Sequence, residues 1–334
     1  MQAENSTPAG HPEVRHTEVS RPEILRAVAW DAPGHPPVLR FSTGQNAQAT
    51  DIPLAPGVRL GFRAINAGKW CLGYVKVHDE THRDEIVCQQ GSAAERGYQC
   101  GPCFARDETR QMHDSHRGGQ VPAGLRKYLS QPHWLYVATF AGGGTKVGTA
   151  SKLRQWQRLA EQGAVVAQFV ATAQNGTAVR ILEDAVTRDA GLPQQIRSAA
   201  KSAGLLSPLS DSELTKINTE HARRAKEVLE SPYAQTHPLT AGQFDPVAQI
   251  WERPALADLV ASPAEGLRHA YPNALLEGAH GFELLSLSGA CALVRLLGDP
   301  ESPQFVVDLN QLKGRALEWG EFESVQPTVQ DSLF

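Results

Sequence analysis

Hydrophobic and polar positions are most regularly patterned between His133 and Ala190. An apolar run from Trp134 to Phe140 meets three consecutive glycines, Gly142, Gly143 and Gly144, and then a second short run from Thr145 to Thr149. Glycine takes positive φ without a Cβ penalty, so this spacing predicts a tight β-hairpin. Ser151 is placed to cap a helix in which Leu153, Trp156 and Leu159 recur at three-residue spacing, a face turned to the hairpin. Gly163 stops that helix, and Ala164 to Ala173 predicts a third, largely buried strand. From about Thr177 a second helix carries Ala178, Ile181, Leu182, Ala185 and Val186 on its apolar side. The order is β-β-α-β-α.

The flanks carry weaker patterns. Ile24 to Trp30, Val38 to Ser42 and Val58 to Ala64 mix β-branched or aromatic residues with polar ones between Gly, Pro and Asp turn signals, which predicts a small N-terminal β layer. Residues 104–131 are polar and predict a loop or a partly helical connection. Ser210 opens an amphipathic helix to about Leu229, with Ser210 and Glu213 forming a capping box and Leu214, Ile217, His221, Ala225 and Val228 as its inner stripe. Phe282 to Ser288, Cys291 to Leu297 and Gln304 to Leu309 predict antiparallel strands, followed by a weaker one at Ala316 to Trp319. The expected fold class is α+β. The expected division is a disordered lead-in at 1–22, a β segment at 23–132, the central α/β domain at 133–230, a Pro-rich linker at 231–270 and a C-terminal β domain at 271–325.

Composition changes this picture little. A chain of 334 residues with 41% hydrophobic residues can bury more than one core. No stretch approaches the roughly twenty apolar residues of a membrane span, and the first residues lack a hydrophobic signal core, so a cytoplasmic protein with no membrane partner is expected. Charge is more informative. The net charge is −4, yet residues 126–226 hold fourteen Lys and Arg against seven Asp and Glu. A locally basic module suits a polyanion partner, and a solvated helical surface would produce the same count.

Four of the five cysteines, Cys71, Cys88, Cys100 and Cys103, fall within 33 residues, the last two as Cys-Gly-Pro-Cys. In a reducing compartment such a cluster reads as a metal site, and four thiolates satisfy tetrahedral zinc in a structural role. Sixteen residues separate the first two, an interval that contains His78 and His82 as alternative ligands to Cys71. A redox role for Cys100 and Cys103 is the rival reading. His113 and His116 have a spacing compatible with a metal, and solvated loop histidines have the same spacing. Cys291, in an apolar strand, reads as a small buried hydrophobe.

The central unit also resembles a known superfamily. Trp134-Leu135-Tyr136, then Lys146-Val147-Gly148, a helix bearing Arg158, a third strand and a helix bearing Glu183 are similar in order and spacing to the GIY-YIG nucleases over about 133–190. The run from Lys146 to Ala150 followed by Arg158 to Ala164, with cysteines upstream and a β layer downstream, more closely resembles an uncharacterised bacterial family of zinc-containing relatives known only as a domain of unknown function. The resemblance implies a nucleic-acid partner and metal-dependent phosphodiester hydrolysis. It implies a catalytic set of Tyr136 orienting or deprotonating water, Arg158 on the phosphate, Glu183 on magnesium and Lys146 lowering the tyrosine pKa or binding phosphate, with Lys152, Arg154 and Gly148 at the substrate. Lys146 stands where the second-motif tyrosine is expected, Trp134 where the first glycine is, and no histidine follows Arg158 on its helix. These departures keep two further readings open: an inactive nucleic-acid- or protein-binding module, and a fold recruited to small-molecule chemistry with Lys146 as nucleophile or base.

Overall fold

The computed structural model describes residues 23–325 apart from 44–50, 113–114, 116–119, 265 and 300. The expected lead-in at 1–22 and the histidines His113 and His116 lie outside the described residues. Four strands open the chain: β1 (Glu23–Ala29), β2 (Val38–Thr43), β3 (Asp51–Pro53) and β4 (Arg59–Ala64). A hairpin of β5 (Tyr74–Val77) and β6 (Arg83–Ile86) follows, then the helices α1 (Gly101–Arg106) and α2 (Ala123–Ser130). The central unit is β7 (His133–Thr139), β8 (Thr145–Ser151), α3 (Gln155–Gln162), β9 (Val166–Ala173) and α4 (Gly176–Ala190). Helices α5 (Ser198–Gly204), α6 (Asp211–Leu229) and α7 (Pro232–Thr236) lead to β10 (Phe244–Ile250) and the short α8 (Asp258–Ala261). The chain finishes with β11 (Arg268–Ala270), β12 (Ala279–Ser288), β13 (Cys291–Leu296), β14 (Gln304–Asp308) and β15 (Ala316–Trp319). The fold is α+β, as its patterning predicts.

The local signals of the central unit are reproduced. Thr139 faces Thr145 at the end of an unbroken antiparallel register that begins at His133 and Ser151. Gly143 takes φ of +81° in the turn, and Gly163 caps α3 in the left-handed conformation at φ of +71°. Asn175 caps α4 by accepting from the Ala178 amide, and both halves of the Ser210–Glu213 capping box are present on α6.

Two details of α3 differ. Ser151 ends β8 instead of capping a helix; its hydroxyl accepts from Tyr128, and a 3-10 turn at Lys152–Arg154 intervenes before α3. That turn rotates Leu153 outward to 62% exposure, whereas Leu159 is fully buried.

The two β layers at the ends of the chain are one sheet. Its nine strands run β11-β14-β13-β12-β4-β15-β1-β2-β3, so β4 lies between β12 and β15, and β1 pairs with both β15 and β2. Patterning reveals that a segment is a strand; it does not name a partner more than two hundred residues away. The stretch read as a linker likewise supplies β10, the edge of a four-stranded sheet ordered β10-β9-β7-β8.

The small sheet is covered on both faces. On one, Tyr136, Ala138 and Phe169 join Leu25, Phe41, Phe62, Phe282 and Leu284 of the large sheet in a shared core, with Leu159 and Ala160 of α3 in the same cluster. On the other, Leu135, Val137 and Val170 meet Val179, Leu182 and Val186 of α4 and Ala222, Ala225 and Leu229 of α6. Period-two alternation explains the split, because successive residues of β7 point to opposite faces. Asn218 lies in that second interface and is 0% exposed. Its amide donates to the Val137 carbonyl at 3.1 Å, the Thr139 hydroxyl at 3.0 Å and the Val166 carbonyl at 3.3 Å, tying α6 to both β7 and β9.

Asn218→Ala is therefore expected to lower stability by about 1–3 kcal/mol, the usual cost of unpairing a buried polar group. Denaturant unfolding with an unchanged slope checks it; native stability in this variant would show that the amide does not hold α6 to the sheet.

Candidate functional site

The residues singled out in the central unit gather on one side of the β7–β8 hairpin. Lys146 and Gly148 are the cross-strand partners of Ala138 and Tyr136, so both lie on the tyrosine's face. Tyr136 is 0% exposed. Its hydroxyl accepts from Gln162 Nε2 at 2.9 Å and lies close to the Arg158 guanidinium, one helical turn before Gln162 on α3. A Cβ at position 148 would sit 2.4 Å from the tyrosine hydroxyl, so Gly148 is the space the phenol occupies. That packing against Tyr136 accounts for a glycine here.

Burial pushes the Tyr136 pKa up, and the Arg158 charge and the Gln162 hydrogen bond offset only part of that rise. A general base needs the opposite shift. Lys146 is also buried; its ammonium donates to the Gln194 carbonyl at 3.0 Å and lies 5.6 Å from the Tyr136 ring centre. Burial brings its pKa down to about 8, with Arg158 and Lys201 acting in the same direction and Glu183 opposing. Glu183 is 3% exposed and accepts from Arg180 Nη1 at 2.7 Å. Burial raises its pKa, against the pull of Arg180 and then Lys146. Tyr136, Lys146, Arg158 and Glu183 therefore form one electrostatic neighbourhood, but three of the four are sealed from solvent.

What opens beside them is a cleft of about 280 Å³ between the β5–β6 hairpin, α2, β8, α3 and the start of α4. Arg83, Arg154, Arg158 and Arg180 line it, together with Tyr128, His133, Thr149 and Ser151, and no carboxylate is among the described lining residues. Two of its arginines are already held. Arg154 forks onto both oxygens of Glu161 at 2.8 and 2.7 Å, and Arg180 is held by Glu183. His133 is kept uncharged. Burial, helped by Arg180, takes its pKa down to about 4 against the Gln131 carbonyl, which accepts from Nδ1 at 2.8 Å. Gly176, the first residue of the fifteen-residue helix α4, also lines the cleft, so the positive end of that helix dipole lies at its wall. Of the residues expected at a substrate, Arg154 and Arg158 line this cleft; Lys152 is exposed on the 3-10 turn and does not. Arg83, Arg180 and His133 are the lining residues that pattern reasoning missed. The basic excess over residues 126–226 was a signal for Arg180 alone, and it does not say which charges converge.

The cysteines form a second centre. Cys71, Cys88, Cys100 and Cys103 are all buried and free, with their sulfurs within 4.8 Å of one another. The group can hold a metal ion. Cys88 and Cys100 sulfurs are 3.9 Å apart, close to the ~3.8 Å edge of a tetrahedron with metal–sulfur bonds of about 2.3 Å. Amides of Gly73 and Cys100 donate to the Cys71 sulfur at 3.3 and 3.2 Å and offset part of the rise that burial imposes on its pKa. Burial raises the Cys88 pKa, but the amides of Ser92 and Gln90 together with the neighbouring Cys71 and Cys100 bring the thiol down to about 7. Gly73 takes φ of +85°, and a Cβ there would strike the Ile86 carbonyl, so the first knuckle requires glycine. Cys71 itself completes the group. His78 and His82, the alternative ligands, instead gather around Asp84. Cys291 is buried among apolar residues and its pKa rises to about 12.

Residues 64–281 match a family described as a protein of unknown function, DUF2797, which covers both centres. No curated protein matches the chain, and no solved structure does. Among the described residues, no helix is long and apolar enough to cross a membrane.

The depressed Lys146 pKa carries a sign. Between about pH 8 and 10.5 the unfolded lysine holds a proton that the folded one has released, so native stability gains with rising pH through this window. Lys146→Met lacks that gain. Unfolding of the two proteins across pH 7–10 should show the difference moving in favour of the native chain; parallel curves would place the ammonium in solvent.

Proposed function

The chain belongs to the DUF2797 family of proteins of unknown function, and we propose that it is a zinc-stabilised nucleic-acid-binding module whose arginine-lined cleft takes the sugar-phosphate backbone. The observation that carries this reading is the lining of the cleft, with four arginines and the first turn of α4 and no carboxylate among its described residues. Guanidinium groups fork onto phosphate oxygens, and helix N-terminal amides add to the same preference. The arginines come from β6, the turn before α3, α3 and α4; with Arg154 held by Glu161 and Arg180 by Glu183, Arg83 on β6 and Arg158 on α3 are the pair offered to successive phosphates of a strand.

The same geometry favours binding over hydrolysis. Magnesium needs hard oxygen ligands with room for water, and Glu183 is buried and committed to Arg180. Tyr136 is buried with its pKa raised, and Lys146 spends its ammonium on a backbone carbonyl. A GIY-YIG-like arrangement with these side chains retains the place for a phosphate without a base or a metal beside it. Small-molecule chemistry at Lys146 has the same obstacle, since its ammonium is buried outside the cleft lining. Zinc at the cysteines rests on four buried sulfurs with amide donors, a closed set with no open position for a reaction.

Fluorescence anisotropy with labelled single- and double-stranded oligonucleotides tests the cleft. Binding should weaken steeply with salt, and the pair Arg83→Gln and Arg158→Gln should weaken it by about tenfold or more, since each removes a phosphate contact. Unchanged binding in the double variant would overturn the reading. Magnesium-dependent cleavage abolished by Glu183→Ala would replace it with hydrolysis.

Metal analysis after exhaustive dialysis should give about one zinc per chain, as expected of a closed four-cysteine centre. Cys100→Ser should lose both the metal and the cooperative unfolding transition. A metal-free chain of full stability would remove zinc from the proposal.

A further inference from the structure

The turn between β5 and β6 carries His78, His82 and Asp84 in the sequence His-Asp-Glu-Thr-His-Arg-Asp. The antiparallel register pairs Val77 with Arg83 and Lys76 with Asp84. Extended by one residue, it sets His78 opposite His82, with Asp84 as the diagonal neighbour on the same face. Alternation sends Arg83 to the other face, where it lines the arginine cleft. Ligand atoms of the three side chains lie within 4.8 Å of one another. The carboxylate already addresses both rings: Oδ2 is 2.8 Å from His78 Nε2 and Oδ1 is 3.4 Å from His82 Nε2.

We propose that His78, His82 and Asp84 form a second, exchangeable metal site for one divalent first-row cation, zinc being the probe. Two imidazoles and a carboxylate are a ligand set for zinc or nickel and not for magnesium or calcium. Ligand atoms held by bonds of about 2.0–2.1 Å in a tetrahedron are roughly 3.3 Å apart, close to the spacings present. The backbone of the turn is set independently of any ion. His78 donates its amide to the His82 carbonyl at 3.0 Å, and Asp79 Oδ1 accepts from the amides of Thr81 at 2.9 Å and His82 at 2.8 Å. Gln131 donates to the Glu80 carbonyl at 3.1 Å and fixes the turn to the end of α2. The ligands therefore need little ordering to close on a cation.

The two metal centres differ in accessibility. The cysteines are buried, whereas the side chains of His78, His82 and Asp84 are 34%, 63% and 48% exposed. Three ligands on an open turn leave coordination positions for water or for an incoming group, which makes this centre an exchangeable one. Lys76, directly across from Asp84 on the same face, is the charge that competes for the carboxylate.

Isothermal titration of zinc into the full chain, already carrying whatever its cysteines hold, is the test. The native protein should bind one further ion, and His82→Ala and Asp84→Asn should each weaken that step by at least about tenfold, as removal of one of three ligands requires. Tightly retained metal and thermal unfolding should stay at native levels, because both replaced side chains are at the surface. The readout is the difference between native and variant proteins, so it is independent of the cysteine centre. Equal isotherms for the native chain and both variants, or no further ion on the native chain, would overturn the proposal and leave the three residues as a histidine–aspartate ion-pair cluster.

Discussion

Strand β7 is buried on both faces, and most of what the chain can do follows from that. A strand that shares one core with the nine-stranded sheet and a second with α4 and α6 has no solvent-facing side on which to present a catalytic group. Tyr136 points into the first core, between Phe169 and the gap left by Gly148, and its hydroxyl is satisfied by Gln162. Removing an ionisable phenol from water disfavours its anion, so depth alone moves this tyrosine away from proton transfer at neutral pH. The charge available to a ligand must then come from the rim of the small sheet, and the arginines stand there.

How far this was legible in the sequence depends on the range of the interaction. Gly163, the Ser210–Glu213 capping box and the glycine turn act over a few residues, and their signals survive folding unchanged. The Cys-Gly-Pro-Cys knuckle is equally local, and the fold brings Cys71 and Cys88 to it with all four sulfurs within 4.8 Å of one another. The pairing of β1 with β15 and of β4 with β12 is set by the whole core, and no pattern within either strand names the other. The strand β10 was hidden for another reason: its residues are mostly exposed at a sheet edge and include Pro246, so hydrophobic alternation is absent.

The site follows the same division. Composition located a positive excess within residues 126–226, yet Arg83 lies outside that window, on the hairpin attached to the cysteine centre. It joins the cleft because the cysteine cluster and its hairpin pack beside α2 and the start of the central unit. A metal held by the four cysteines would do more than hold its own loops. By fixing the hairpin it would set one wall of the cleft, linking a site made of sulfur ligands to a surface made of guanidinium groups.

Lys146 and Glu183 are coherent within this arrangement, although each is a poor fit to hydrolysis. A buried carboxylate beside two cations is stabilised by them, and the guanidinium it holds cannot swing freely. Glu183 accepts from Arg180, and Lys146 supplies a second positive charge to the same carboxylate while anchoring its own ammonium on Gln194. Removing Glu183 would leave Arg180 largely buried without its counter-charge, with Lys146 and Arg158 nearby to repel it. The carboxylate thus positions an arginine at the wall of the cleft. In the binding reading proposed above, the side chain that would ligate a metal in a hydrolase instead holds an arginine of the cleft, and the lysine in the tyrosine's place draws that carboxylate's pKa down against the larger rise that burial imposes.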